Sequence, residues 1–139
     1  MLLISHRGNL DGSSDLENHP TRIQEVLKMG LDCEVDVWLK EGGYHLGHDE
    51  PMHHVNASLL KDKNLWCHAK NLEALQKMLE DGIHCFWHEN DNCTLTSKGI
   101  IWSHPHVIPP PNSIAVKPEI KNHDIKNCYG VCSNYIIKY

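Results

Sequence analysis

The sequence predicts an α/β fold: a reduced TIM-type (β/α) barrel, with several outer helices missing from its C-terminal half. Three observations carry this. Short apolar runs alternate with amphipathic helical patterns through the first 90 residues. Three further short apolar runs follow, separated by Pro109-Pro110-Pro111 and polar loops rather than by helices. The chain has only 139 residues, whereas a standard eight-fold barrel takes about 250, so eight full units do not fit.

The elements follow in order. Leu2-Leu3-Ile4-Ser5 reads as a buried strand ending at His6-Arg7-Gly8. Asn18 is placed as the cap of a helix with Pro20 in its first turn, an Ile23, Val26 and Leu27 face, and Gly30 as its stop. Residues 33–39 read as a strand, and Glu41-Gly42-Gly43 as a hairpin turn into residues 44–49. A helical turn around 57–61 precedes a strand at 65–70. Asn71 then caps a helix whose apolar face is Leu72, Leu75, Met78 and Leu79, ended by Gly82. Residues 84–89, 100–103, 113–116 and 129–133 read as the remaining strands. One domain, 1–139, holds them all. Strand faces without helices would be apolar, so a homodimer covering them is an expected partner arrangement.

Composition narrows the function. Thirteen basic and eighteen acidic residues give a formal charge of -5, with no basic block, which argues against nucleic acid as a partner. No apolar stretch reaches the roughly 18 residues of a membrane span, and the start lacks the basic and long apolar regions of a signal peptide, so a cytoplasmic protein is expected. The six cysteines form no CxxC pair; Cys33, Cys67 and Cys85 lie in strand-like runs, where a thiol acts as a small buried hydrophobe. Twelve histidines stand out, because imidazole suits both proton transfer near neutrality and metal ligation.

Residues two apart on a strand share a face, so Glu34 and Asp36 present two carboxylates side by side, away from Cys33, Val35 and Val37. Burying two like charges together calls for a cation between them; an isolated pair of this kind is otherwise a solvated face. His6-Arg7 ends the first strand, Glu17-Asn18 lies in the following loop, His48-Asp49 follows the hairpin, and His68 and Lys70 project from one strand. Together these supply two proton carriers, several metal ligands, and Arg7 and Lys70 for an anion. His53-His54 and His104-Pro105-His106 lack the spacing of a structural zinc site and read as surface-loop histidines. His88-Glu89-Asn90-Asp91 follows a strand at the same expected rim, where it could supply substrate contacts. Trp38, Trp87 and Trp102 read as core or pocket wall.

The ordered motifs His6-Arg7-Gly8, Glu17-Asn18, Glu34-Val35-Asp36-Val37 and His48-Asp49 resemble the signature of glycerophosphodiester phosphodiesterases, in the wider group of phospholipase-C-like phosphodiesterases on TIM-type barrels. Gly130-Val131-Cys132-Ser133-Asn134-Tyr135 resembles the end of that family's last strand, Gly-Ile-Cys-Ser/Thr-Asp-Tyr. The likeness is strong over residues 1 to 70 and vague between 90 and 125. It implies His6 and His48 as the acid–base pair, Arg7 and Lys70 as phosphate contacts, and Glu17, Glu34 and Asp36 as ligands of Mg²⁺ or Ca²⁺. The implied activity is hydrolysis of a glycerophosphodiester or a similar small phosphodiester. The alternatives are a non-hydrolytic phosphoester-binding relative and a lyase releasing a cyclic phosphate. One position departs from the pattern: the family has Glu-x-Lys where this chain has His68-Ala69-Lys70. If His68 ligates, imidazole favours Mn²⁺, Co²⁺ or Zn²⁺; if it does not, Glu89 or Glu119 is the reserve ligand.

Overall fold

The computed structural model describes residues 1–139. Ten strands form one mixed sheet: β1 (Leu2–His6), β2 (Asp32–Lys40), β3 (Gly43–Leu46), β4 (His53–Val55), β5 (Leu65–Ala69), β6 (Cys85–Phe86), β7 (Cys93–Leu95), β8 (Ile101–Ser103), β9 (Ile114–Val116) and β10 (Gly130–Ser133). There are only three α-helices: α1 (Pro20–Lys28), α2 (Ala57–Leu60) and α3 (Leu72–Glu80). No helix is long and apolar enough to cross a membrane.

The alternating TIM-type barrel is therefore not what forms. The sheet is a curled half-barrel in which parallel strands run β6-β5-β2-β1-β10-β9-β8. β3, β4 and β7 are added antiparallel. The cause lies in the connections. A (β/α) barrel needs a crossover helix behind nearly every strand, but the chain between β8 and β10 is punctuated by Pro105, Pro109, Pro110, Pro111 and Pro118 and forms no α-helix. β7 instead turns back to pair with β8, and the sheet ends are not paired as strands. They are linked by Ser97, whose N–H donates to the Cys85 carbonyl and whose Oγ accepts from the Cys85 N–H, and by Thr94, whose hydroxyl donates to the Trp87 carbonyl.

Two apolar clusters sit on opposite faces of the sheet. Under the helices, Cys33, Val35, Val37, Cys67 and Ala69 pack with Ile23, Val26, Ala74 and Met78. Inside the curl, Ile4, Trp66, Phe86, Trp102, Ile114, Val116 and Cys132 form a smaller cluster. The period-two alternation of β2 thus sends its apolar residues outward to the helices and leaves Glu34 and Asp36 buried on the inner side. Where helices are missing, the short 3₁₀ turns Pro118–Ile120 and Ile136–Lys138 pack against β10, with Ile136 fully buried. All six cysteines are free, and Cys33, Cys67, Cys85 and Cys132 are buried.

Both long helices differ in detail from the sequence reading. His19, not Asn18, caps α1, its Nδ1 accepting from the Thr21 N–H; Asn18 is drawn into the interior by Asp36. Asn71 caps α3 as expected, accepting from the Ala74 N–H, and it also bonds both the N–H and the carbonyl of Leu39. Ala74 and Met78 are the buried residues of this helix, while Leu72 and Leu79, expected on its apolar face, are exposed.

β2 outruns β1, and its last residues pair with β3 instead. This places the turn carrying His48 directly beyond the end of β1. Gly47 holds that turn: its N–H donates to the Asp36 carbonyl and its own carbonyl accepts from Trp38 Nε1 at 2.6 Å. A Cβ at Gly47 would lie 2.0 Å from the Glu50 carbonyl oxygen. Gly47→Ala must therefore shift the backbone beside His48, at a cost of about 1–3 kcal/mol. If His48 is catalytic, a displacement of this kind lowers turnover by about 100-fold. Thermal melting and kinetics on the same variant check both effects.

Candidate functional site

The inner face of the half-barrel opens into a pocket of about 640 Å³ at the C-terminal ends of the parallel strands. Its lining includes His6, Arg7, Glu34, His48, His68 and Lys70. Six of the eight residues singled out in the sequence thus share one pocket. Asp36 lies beneath it, fully buried. Glu17 stands outside the lining, beside Arg7 and Asn9.

The centre of the site is the side chain of Asp36. It accepts from Asn18 Nδ2 at 2.9 Å, while its own backbone N–H donates to Asn18 Oδ1. Arg7 Nε lies 3.1 Å from Oδ2, and His68 Nδ1 lies 3.1 Å from Oδ1. Burial opposes the charge on Asp36, but the His68 hydrogen bond and the Arg7 guanidinium outweigh it and hold the carboxyl below its usual range. Arg7 reaches this position by taking a left-handed backbone conformation (φ 58°), fixed by its N–H donating to the Glu34 carbonyl and its carbonyl accepting from the Asn18 N–H. Such a conformation costs roughly 1–2 kcal/mol outside glycine.

Glu34 is the opposite case. Burial and the neighbouring Asp36 charge raise its carboxyl well above the ordinary value. Oε2 is buried with no hydrogen-bond partner, 3.7 Å from His6 Nε2; Oε1 lies 3.9 Å from His68 Nδ1. His68 Nε2 lies 3.3 Å from the His88 carbonyl, so both ring nitrogens face acceptors and Nδ1 is aimed at the two carboxylates. Glu34, Asp36 and His68 offer three ligand atoms within 4.8 Å of one another, a set that could hold a metal ion.

The tautomer of His6 follows from a chain of acceptors. The Glu17 carboxylate can only accept, so Asn9 presents Nδ2 to it at 2.8 Å and to Asn134 Oδ1 at 3.0 Å. Asn134 Oδ1 in turn accepts from His6 Nδ1 at 2.6 Å. His6 therefore carries its proton on Nδ1 and a lone pair on Nε2, the nitrogen nearer Glu34. Burial, Arg7 and Lys117 push its pKa down to about 4, the Asn134 bond opposing them, so the ring is neutral at pH 7. His48 is more open, with Nδ1 2.7 Å from Asp49 Oδ1.

Several residues of the site were not singled out as such in the sequence. Asn9, Asn134 and Lys117 surround His6; Asn134 stood within the last-strand motif, but its contact with His6 spans 128 positions. His104 is corrected from a surface-loop residue to a buried one, 5% exposed and stacked on His88 with ring centroids 3.6 Å apart. His88, Asp91 and His104 form a second group with metal-holding geometry. Burial lowers the pKa of His88 to about 4, with His104 and His68 contributing. The reserve ligand Glu119 is already engaged, accepting from the Ser133 and Tyr139 hydroxyls outside the pocket; Glu89 lies on the rim, exposed. Trp87 and Trp102 line the pocket, and Trp38 braces Gly47. No protein-family model matches this chain, and neither a curated protein nor a solved structure matches it.

Proposed function

We propose that this protein is a metal-dependent phosphodiesterase that cleaves a small phosphodiester of the glycerophosphodiester type. The observation that carries the reading is the convergence of His6 and His48 with Arg7, Lys70 and Lys117 on one pocket, beside the buried and unpartnered Glu34 Oε2.

The donor set fits a divalent cation. A raised, desolvated carboxyl beside a second carboxylate is relieved by a cation at that point, and Glu34, Asp36 and His68 are the residues that would hold it. Glu17 serves instead as the end of the chain that orients His6. When bound, the cation supplies positive charge to the non-bridging oxygens of the phosphoryl group.

The chain's own groups do the rest. Arg7, Lys70 and Lys117 bring positive charge to a pocket that would receive an anion. His6 Nε2 takes the proton of the attacking hydroxyl as its oxygen bonds to phosphorus. His48 gives a proton to the departing alkoxide as the second P–O bond breaks. Asp49 accepts from His48 Nδ1 and leaves Nε2 for that transfer.

Phosphorus NMR of a glycerophosphodiester incubated with the protein and Mg²⁺, Mn²⁺, Co²⁺ or Zn²⁺ tests the reading. A phosphomonoester is the expected product. A cyclic phosphate that persists would mark a lyase, and a diester unchanged with every metal would contradict the proposal.

Two variants probe the roles. His68→Glu restores an all-oxygen donor set and is expected to move metal preference toward Mg²⁺; an unchanged metal profile removes His68 from the ligands. Asn134→Asp puts a carboxylate oxygen where Asn134 Oδ1 now accepts from His6 Nδ1 at 2.6 Å. A carboxylate there favours the imidazolium, so the acid limb of kcat/KM moves to higher pH by about one unit or more. A limb that stays in place would show that His6 is not the base.

A further inference from the structure

We propose that His88, Asp91 and His104 form a second cation site, suited to a transition metal of the Zn²⁺ class, on the loop side of the same pocket. The site is assembled by two segments distant in sequence. Residues 87–92 follow β6, and His104 follows β8. The two are tied together at Asn92, whose carbonyl accepts from the His104 N–H at 3.0 Å and whose Oδ1 lies 3.0 Å from His106 Nε2.

Asp91 stands between the imidazoles. Its Oδ1 lies 3.5 Å from His88 Nδ1, and its Oδ2 lies 3.7 Å from His104 Nε2. These separations exceed the roughly 2.7–3.2 Å of N–H···O hydrogen bonds. They lie near the roughly 3.3 Å edge of a tetrahedron built on metal–ligand bonds of about 2.0–2.1 Å. His88 Nδ1 and His104 Nε2 are both buried with no hydrogen-bond partner, and the His104 side chain is only 5% exposed. Leaving such an atom unsatisfied in the interior is costly. A cation bound by both nitrogens and the carboxylate removes that cost twice.

The surroundings support the ligand roles. Asp91 Oδ1 accepts from the Glu89 N–H at 2.8 Å, which fixes the carboxylate beside the rings. His68, His88 and His104 form a continuous stack, with successive centroids 5.1 and 3.6 Å apart, so neither ring of the pair swings freely. Two imidazoles and one carboxylate favour Zn²⁺, Co²⁺, Ni²⁺ or Fe²⁺ over Mg²⁺ or Ca²⁺. The other group, Glu34, Asp36 and His68, has the reverse balance of oxygen and nitrogen. All three residues of the second site line the pocket that also holds His6 and Glu34, so its metal would face the same bound molecule.

The site does not rest on the phosphodiesterase reading, because binding reports it without turnover. Chelator-treated protein is titrated with Co²⁺, following visible absorption, and then challenged with Zn²⁺. Wild type is expected to show an imidazole–carboxylate Co²⁺ spectrum that Zn²⁺ displaces. Asp91→Asn keeps the Glu89 hydrogen bond at an exposed residue, so the fold is retained; it is expected to weaken this binding by more than about 100-fold. His104→Ala should do the same, and Glu34→Gln should leave these bands in place. Superimposable titrations of wild type and Asp91→Asn, or no Co²⁺ spectrum in wild type, would overturn the site and leave only a stack of imidazoles. Asp91-dependent Co²⁺ binding in a protein that cleaves no diester would keep the site and discard the function.

Discussion

His6→Ala is expected to lower metal-supported phosphodiester cleavage by at least about 100-fold with little change in KM. General-base catalysis by a positioned side chain contributes about 10²–10⁴-fold, and His6 is positioned by more than its own rotamer. The relay Glu17–Asn9–Asn134 fixes the proton on Nδ1. Burial with Arg7 and Lys117 keeps the ring neutral, with its pKa lowered to about 4. A base held this way stays deprotonated through neutral pH, so wild-type kcat/KM should fall only as the solution becomes acidic well below the ordinary histidine range. His6→Gln is the useful companion, since it retains bulk and polarity without the titrating nitrogen. Equal losses in both variants, with unchanged melting, identify a chemical role; a loss confined to the alanine variant identifies a packing role.

Asp36→Ala is expected to destabilise the protein by about 3–5 kcal/mol. Removing one partner of a buried charged cluster leaves the others uncompensated, and here the orphans are the Arg7 guanidinium, the Asn18 amide and His68 Nδ1. For a chain of this size the loss should lower Tm by roughly 10 °C or more. Asp36→Asn keeps the shape and one acceptor, so it should cost less while still removing the charge that holds Arg7. Melting both variants in the presence of chelator separates this structural role from metal binding. A melting temperature within a degree of wild type for Asp36→Ala would show that Asp36 is not the keystone of the site.

What could be read in the sequence was what depends on local periodicity. The alternation Cys33-Glu34-Val35-Asp36-Val37 implied two carboxylates on one strand face, opposite the apolar one; that this face is buried as well, with both carboxylates in the interior, comes from the curl of the sheet. His6-Arg7 at a strand end followed from the same logic; His68 lies on β5 as expected, while the strand stops at Ala69 and Lys70 lies one residue past it, still lining the pocket. The architecture did not follow. Alternating strand and helix in the first half pointed to a barrel, but a barrel depends on crossover helices throughout, and the proline-rich second half supplies short 3₁₀ turns instead. The other gaps are long-range contacts. His104 looked like a solvated loop residue because nothing in His104-Pro105-His106 shows that His88, sixteen positions earlier, stacks on it. Asn18 carried a capping signature, yet its amide is taken up by Asp36, donating to the buried carboxylate and accepting from the backbone N–H, while His19 caps the helix end.

The most direct test of the central claim is the initial rate of cleavage of a chromogenic phosphodiester by the chelated protein, before and after readdition of single divalent metals. The rate is expected at background in chelator, restored by Mn²⁺, Co²⁺ or Zn²⁺ and abolished again in His6→Ala and His48→Ala. A wild-type rate that stays at background with Mg²⁺, Ca²⁺, Mn²⁺, Co²⁺ and Zn²⁺ alike, or one that persists in both histidine variants, would contradict it.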